Sequence, residues 1–352
     1  MSLVIGDLKV KLPIIQGGMG VGISLSNLAG TVSSLGGVGV ISTAQIGFTE
    51  PGFKRNPLKE NLKMIGDHIK KARKIAPQGV LGVNIMVATQ NYSLYVKEAI
   101  KNGIDLIISG AGLPIELPQL AKGSKTKLVP IVSTLKGAKV LLKIWDKKSH
   151  TSPDAIIVEG PKAGGHLGFS KEQLLDHDLA KSNYDLEIKA IIELLKDYED
   201  KYYKKIPVIV AGGIGSKEDM EDVFSLGAKG IQVASRFIPT IECDANIRFK
   251  EAYLNIDEED LTIIDSPVGM PGRSIKNNFI KRSFEGRIPI EKCFKCVSTC
   301  QPSTSPYCIT QALINSAKGD IDNGILFCGM SVKNQKKIRR VKDVLNDFVK
   351  LE

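Results

Sequence analysis

The chain has 352 residues, of which 43% are hydrophobic and 24% charged, with a formal net charge of +10. That is the make-up of an ordinary soluble globule, long enough to bury a large core. The lysines punctuate amphipathic stretches rather than forming a stripe, so nucleic acid is not an expected partner. No apolar run approaches the ~20 residues a bilayer span needs, and Met1–Asp7 lacks the charged lead and apolar core of a signal peptide. A cytoplasmic protein with no membrane partner is therefore expected. The one basic cluster, Lys333 to Lys342, reads as a solvated helix face, with attraction of anionic substrates as the residual reading.

Low aromatic content with 34 glycines leans toward an α/β enzyme with many tight strand-to-loop turns. Strands are predicted at Ile14–Met19, Val38–Ser42, Leu81–Val87, Leu106–Ser109, Leu128–Ser133, Ala155–Gly160, Pro207–Gly213 and Gly230–Phe237. Each is almost wholly apolar, as strands buried on both faces of a parallel sheet are. Helix-like stretches alternate with them, among them Asn61–Ala76, Ser93–Asn102, Leu186–Tyr203 and Lys217–Leu226. Eight strand-and-helix repeats ending near residue 240 predict an α/β fold, a (β/α)8 TIM-type barrel, over a doubly wound sheet. The pattern then stops. Residues 1–240 read as the barrel, and 241–352 as a C-terminal helical cap or extension without strand signals. The long interval Leu167–Ile206 reads as a lid at a strand end.

The chemistry concentrates in glycine loops after strands. Ala163-Gly164-Gly165-His166 follows one strand and Ala211-Gly212-Gly213-Ile214-Gly215 another. Both expose main chain to a ligand. Ser216 and Asp219 mark a helix start whose N–H groups favour an anion. With Gln232-Val233-Ala234-Ser235 closing the next strand, the pair stands where barrels hold phosphate. Gln16-Gly17-Gly18-Met19-Gly20 leaves room for a planar ring, and Asn84 is a lone amide in an apolar run that a ligand could satisfy. His166 alone of four histidines stands in such a loop, where it could act as a base or hold an anion. His68, His150 and His177 read as surface residues.

These motifs, with Gly-Val-Asn at 82–84 and Ser-Gly-Ala-Gly at 109–112, resemble the nitronate monooxygenase (2-nitropropane dioxygenase) family. That family shares a superfamily with the flavin-dependent enoyl-acyl-carrier-protein reductase. The resemblance runs in order over about residues 10–240. It implies FMN at the mouth of the barrel, with Gly18, Met19 and Gly20 against the ring and Asn84 near its polar edge. Glu159 and Gly164 match flavin-contacting positions, although Glu159 often matches a glutamine, and an ionised carboxylate cannot donate a hydrogen bond. Gly212, Gly213, Gln232, Val233, Ala234 and Ser235 would hold the phosphate, and His166 matches the catalytic histidine.

The resemblance implies oxidation of a nitroalkane or nitronate with dioxygen to a carbonyl compound and nitrite, without pyridine nucleotide. The alternative is an NAD(P)H-dependent flavin reductase of enoyl thioesters or quinones. Either way the partner is a small molecule, and a homodimer is left open. A third class, a flavin- or metal-binding protein without turnover, rests on Cys293, Cys296, Cys300 and Cys308, a C-x2-C-x3-C-x7-C set that could hold zinc or an iron–sulfur cluster. The plainer reading is reduced thiols packed in a small cap, with no metal assigned.

Overall fold

The computed structural model describes residues 2–175, 177–332 and 335–351, with the main chain alone over 177–183. It opens with a hairpin of β1 (Leu3–Ile5) and β2 (Leu8–Val10). The next strands are β3 (Ile14–Gln16), β4 (Val38–Ser42), β5 (Val80–Met86), β6 (Leu106–Gly110), β7 (Lys127–Val132) and β8 (Ile156–Glu159). A two-residue β9 (Gly165–His166) precedes β10 (Val208–Ala211) and β11 (Gly230–Val233). All but the hairpin and β9 pair in parallel into a closed eight-stranded barrel, β10-β11-β3-β4-β5-β6-β7-β8. This is the expected TIM-type barrel. No helix among the described residues is long and apolar enough to cross a membrane.

Continuous apolar strands are what a barrel needs, because both faces are buried. Ile15, Val40, Ile108, Val129, Ile157 and Ile209 fill the inside, and Leu3, Ile5 and Val10 of the hairpin join them as a stopper. The alternate residues, such as Ile41, Val83, Ile107, Val158 and Val210, pack outward against the helices. Those helices are α1 (Ser26–Ser34), α2 (Pro57–Ile75), α3 (Tyr92–Lys101), α4 (Leu117–Leu120), α5 (Leu135–Ser149), α6 (Lys171–Leu175), α7 (His177–Tyr202) and α8 (Lys217–Ser225). Local chemistry fixes several starts. Asn56 Oδ1 accepts from Lys59 N ahead of Pro57 in α2, and Thr134 Oγ1 accepts from Gly137 N in α5.

Beyond β11 the structure departs from the sequence reading. Ser235–Phe237 is a 3-10 turn rather than strand. The chain continues through α9 (Ile247–Glu251), β12 (Leu261–Asp265), β13 (Pro271–Ile275), α10 (Asn278–Glu285), α11 (Ile309–Ala317) and α12 (Val341–Asn346). The C-terminal part is thus helical, but it also holds two strands where none was expected. They form an antiparallel ladder, and β13 then pairs with β9, aligning Gly272 with His166. The eighth helical position is filled from far along the chain. Val341, Val344, Leu345 and Phe348 bury themselves in the same apolar layer as α1 and α2, and each such side chain contributes about 1.5–3 kcal/mol.

Two further expectations are corrected. The described part of the basic cluster is an extended segment up to Arg340, with only Val341 and Lys342 in α12. Arg339 pairs with Asp347 at 2.5 Å instead of facing solvent. His68 is not a surface residue. It is 8% exposed, and its Nδ1 lies 3.0 Å from Ser26 Oγ, tying α2 to α1. His150 is exposed as expected, at the left-handed end of α5, and the side chain of His177 lies outside the described residues.

Candidate active site

The period-two alternation of the strands builds the site. Because Val83 and Ile85 face outward, Asn84 and Met86 face inward; likewise Glu159 beyond Val158, and Gln232 beside Ile231. With Ser42, Gly110 and Ile131 they form the innermost layer at the C-terminal mouth, the end where barrel enzymes place their chemistry. A cavity of about 190 Å3 opens there, walled also by Gly17–Gly20, Gly164–His166 and Phe327. It shares Glu159, Gly164, Gln232, Ala234 and Ser235 with a smaller one of about 50 Å3 beneath the loops after β10 and β11. A roomier cleft of about 500 Å3 between α10 and α11 lies away from this layer and is lined by no histidine among the described residues.

His166 is placed by the cap as much as by the barrel. The β9–β13 pairing fixes its main chain, and its Nε2 lies 2.7 Å from Ser266 Oγ in the β12–β13 turn. Phe327 meets the imidazole edge-on, with ring centroids 5.0 Å apart. Burial pushes the imidazole down to about 4, so it is neutral at physiological pH. When Nε2–H donates to Ser266, Nδ1 keeps its lone pair for a substrate proton, and no described residue occupies it.

The loop carrying His166 is pinned from behind. Arg273, buried on β13, donates from Nη1 to Pro161 O at 2.5 Å and Ala163 O at 2.6 Å. Gly164 is glycine because the segment from Cys328 to Gly329 lies against it; a Cβ there would stand 2.4 Å from the Cys328 carbonyl carbon. Glycines in this loop therefore admit another part of the chain as well as a ligand.

The residues fit a flavin phosphate, on three observations. Gly213, Ile214, Ala234 and Ser235 line the smaller cavity, and their N–H groups donate to nothing among the described residues. Gly213 has φ +90°, a left-handed conformation that glycine adopts without strain and that anion-binding loops use. Gln232 Oε1 is buried without a donor, an orphan that a ligand N–H would satisfy. One sequence inference changes. The N–H groups of Gly215 and Ser216 at the start of α8 are taken by Asp219 Oδ2 at 2.8 and 2.9 Å, so that helix start offers them to no anion. Ser235 Oγ likewise accepts from Gly329 N at 2.9 Å.

The structure brings the predicted residues together. Gly18, Met19, Gly20, Asn84, Glu159, Gly164, His166, Gln232, Ala234 and Ser235 wall the larger cavity, and Gly212, Gly213 and Val233 the smaller. Val233 contributes main chain, since its side chain packs into the helical layer. Sequence reasoning missed Ser266, Arg273, Phe327 and the Cys328–Gly329 segment. Ser266-Pro267 is a turn signal, but nothing local in the sequence ties it to a histidine 100 residues earlier.

The cysteines stand apart. Cys293 is exposed, while Cys296 and Cys308 pack with Phe294 and Ile314 in the cap. All six thiols are unbridged, and no group of three His, Cys, Asp or Glu among the described residues could hold a metal ion.

A parallel barrel whose C-terminal mouth joins an orphan acceptor, unpaired N–H groups and a buried neutral imidazole is a TIM barrel with a ligand site at the end where such enzymes place their chemistry. The chain belongs to the nitronate monooxygenase family, which matches it over residues 2–350, and so is a flavin-dependent oxidoreductase. A probable nitronate monooxygenase of Staphylococcus haemolyticus is 27% identical over 307 residues, covering 80% of this chain and 81% of its own length. Its counterpart in Staphylococcus saprophyticus is 24% identical, covering 81% and 82%. Two solved structures share the fold. FabK from Thermotoga maritima has a TM-score of 0.70 at 23% identity, covering 97% of this chain and 92% of its own. Nitroalkane oxidase from Streptomyces ansochromogenes has a TM-score of 0.71 at 17% identity, covering 97% and 96%.

Proposed function

We propose that the barrel mouth binds FMN and that the protein oxidises nitroalkanes or their nitronates with dioxygen, giving a carbonyl compound and nitrite. The observation that carries this reading is the neutral imidazole of His166 in the wall of a cavity whose other polar groups want a ligand. Gly213, Ile214, Ala234 and Ser235 would hold the phosphate through main-chain N–H groups, and Gln232 would accept from the ring. Bound FMN would supply the electron acceptance that neither imidazole nor amide can provide. His166 takes the α-proton of a neutral nitroalkane, and Ser266 keeps the ring aimed into the cavity. Phe327 and the β12–β13 turn shield that ring from bulk water.

His166→Asn is expected to keep FMN bound while lowering turnover of a neutral nitroalkane ~10²-fold, with preformed nitronate affected far less. Undiminished turnover of the neutral substrate would remove His166 as the base. A second reading, reduction of an enoyl thioester or quinone by NAD(P)H, is favoured by the run Val158–His166, which resembles the enoyl reductase branch as closely.

A further inference from the structure

The wall of the larger cavity is divided by origin. Its polar side chains other than His166 are Ser42, Asn84, Glu159, Gln232 and Ser235, all at or just beyond the ends of barrel strands. Bulky apolar residues reach it from a connecting loop and the cap: Ile23 between β3 and α1, Ile238 after the 3-10 turn, Leu313 of α11, and Phe327. Ile23 and Ile238 are buried in one apolar cluster with Tyr253, Leu326 and Cys328, so this side of the wall is the edge of the cap's own core.

Leu313 is only half-buried, although Ala312, Ile314 and Ser316 beside it on α11 are buried. It stands one turn before Ala317, on the same face of the helix. That face lies against the loop carrying Met19 and Ile23, where a Cβ on Gly22 would come within 3.3 Å of the Ala317 methyl group. The uncovered part of Leu313 therefore lies toward the cavity it lines. No lysine or arginine among the described residues lines either cavity, and the one acidic group in their walls is Glu159. Lys162 runs its chain beside Gly213 at the smaller cavity, and Arg273 is directed at the Pro161 and Ala163 carbonyls.

A small nitro compound has two ends. Its α-carbon must reach His166, which leaves its remaining chain to the apolar residues of the cap. A hydrocarbon chain gains there from leaving water. A carboxylate would lose its hydration with no cation to pair with. Resting on the nitroalkane reading above, we propose that the cap wall selects substrates with an uncharged hydrocarbon chain against nitro acids, and that Leu313 is the residue that sets this choice.

The test is kcat/KM of the FMN-loaded full chain for nitroethane, 1-nitropropane, 1-nitrobutane and 3-nitropropanoate, the last close to 1-nitrobutane in length but ending in a carboxylate. Values should rise about fourfold per added methylene and be ~100-fold lower for 3-nitropropanoate than for 1-nitrobutane. A nitro acid turned over as well as 1-nitrobutane overturns the proposal. Leu313→Lys, which sets an ammonium in the apolar wall, should shift the preference toward 3-nitropropanoate ~10-fold, and an unchanged ratio overturns the assignment of Leu313. Should that variant fail to fold, Leu313→Ala replaces it: a loss that grows with chain length supports the assignment, and an equal loss for all chains overturns it. Binding without turnover is read from the flavin absorbance with 2-methyl-2-nitrobutane, which has no α-proton. It should bind ~100-fold more tightly than its carboxylate analogue, 3-methyl-3-nitrobutanoate, and equal binding overturns the proposal. Turnover of none of the nitro compounds, neutral or as nitronates, would overturn the functional reading beneath, and this inference with it.

Discussion

His68 and His166 are two imidazoles held neutral by burial, with different consequences. His166 lines the cavity at the barrel mouth, whereas His68 sits in the α1–α2 contact with Ser26 as its partner. Burial first, then the Lys71 charge, push His68 down to about 4 from its ordinary 6.5. The native state therefore binds fewer protons than the unfolded one between those values. Stability from His68 is present above pH 6.5 and is lost as pH falls toward 4, by about 3 kcal/mol at most. Urea midpoints of His68→Gln, which keeps a polar partner for Ser26, should fall less on acidification from pH 6.5 to 4.5 than those of the unaltered protein. Equal falls would show that His68 is charged in the fold.

At the scale of elements, the decisive feature is the ladder that joins β9 to β13 and β12. It converts a two-residue strand in a glycine loop into a fixed platform for His166. Ser266→Ala removes the hydroxyl 2.7 Å from Nε2 without touching the ladder's main-chain bonds. Flavin content should be unchanged while kcat on a neutral nitroalkane falls ~10-fold or more, as misaimed catalytic groups do. A raised KM with kcat intact would mean that Ser266 contacts substrate rather than positions the base.

The same ladder shows what the sequence could and could not reveal. Barrel strands such as Ile156–Glu159 were legible because burial on both faces demands an unbroken apolar run. β12 is only half-buried, and β13 begins Pro-Gly-Arg, a composition that argues against strand until the partner loop is in place. α12 was illegible as a barrel helix for another reason. Six residues carry too few turns to show a face, and its neighbours lie in α1 at the other end of the chain. The glycine loops and His166 could be read because chemistry and punctuation coincide there. Ser266, Arg273 and Phe327 reach the site only through tertiary pairing.

For the whole molecule, the barrel supplies the cavity and the C-terminal part completes it, since Ser266, Arg273 and Phe327 all come from beyond the last barrel strand. The measurement that tests this account most directly is anaerobic mixing of the FMN-loaded protein with either a simple alkyl nitronate or NAD(P)H, followed by flavin absorbance. The account predicts bleaching by the nitronate and an unchanged band with the nicotinamide. Rapid, complete bleaching by NADH or NADPH, with none by the nitronate, would contradict it.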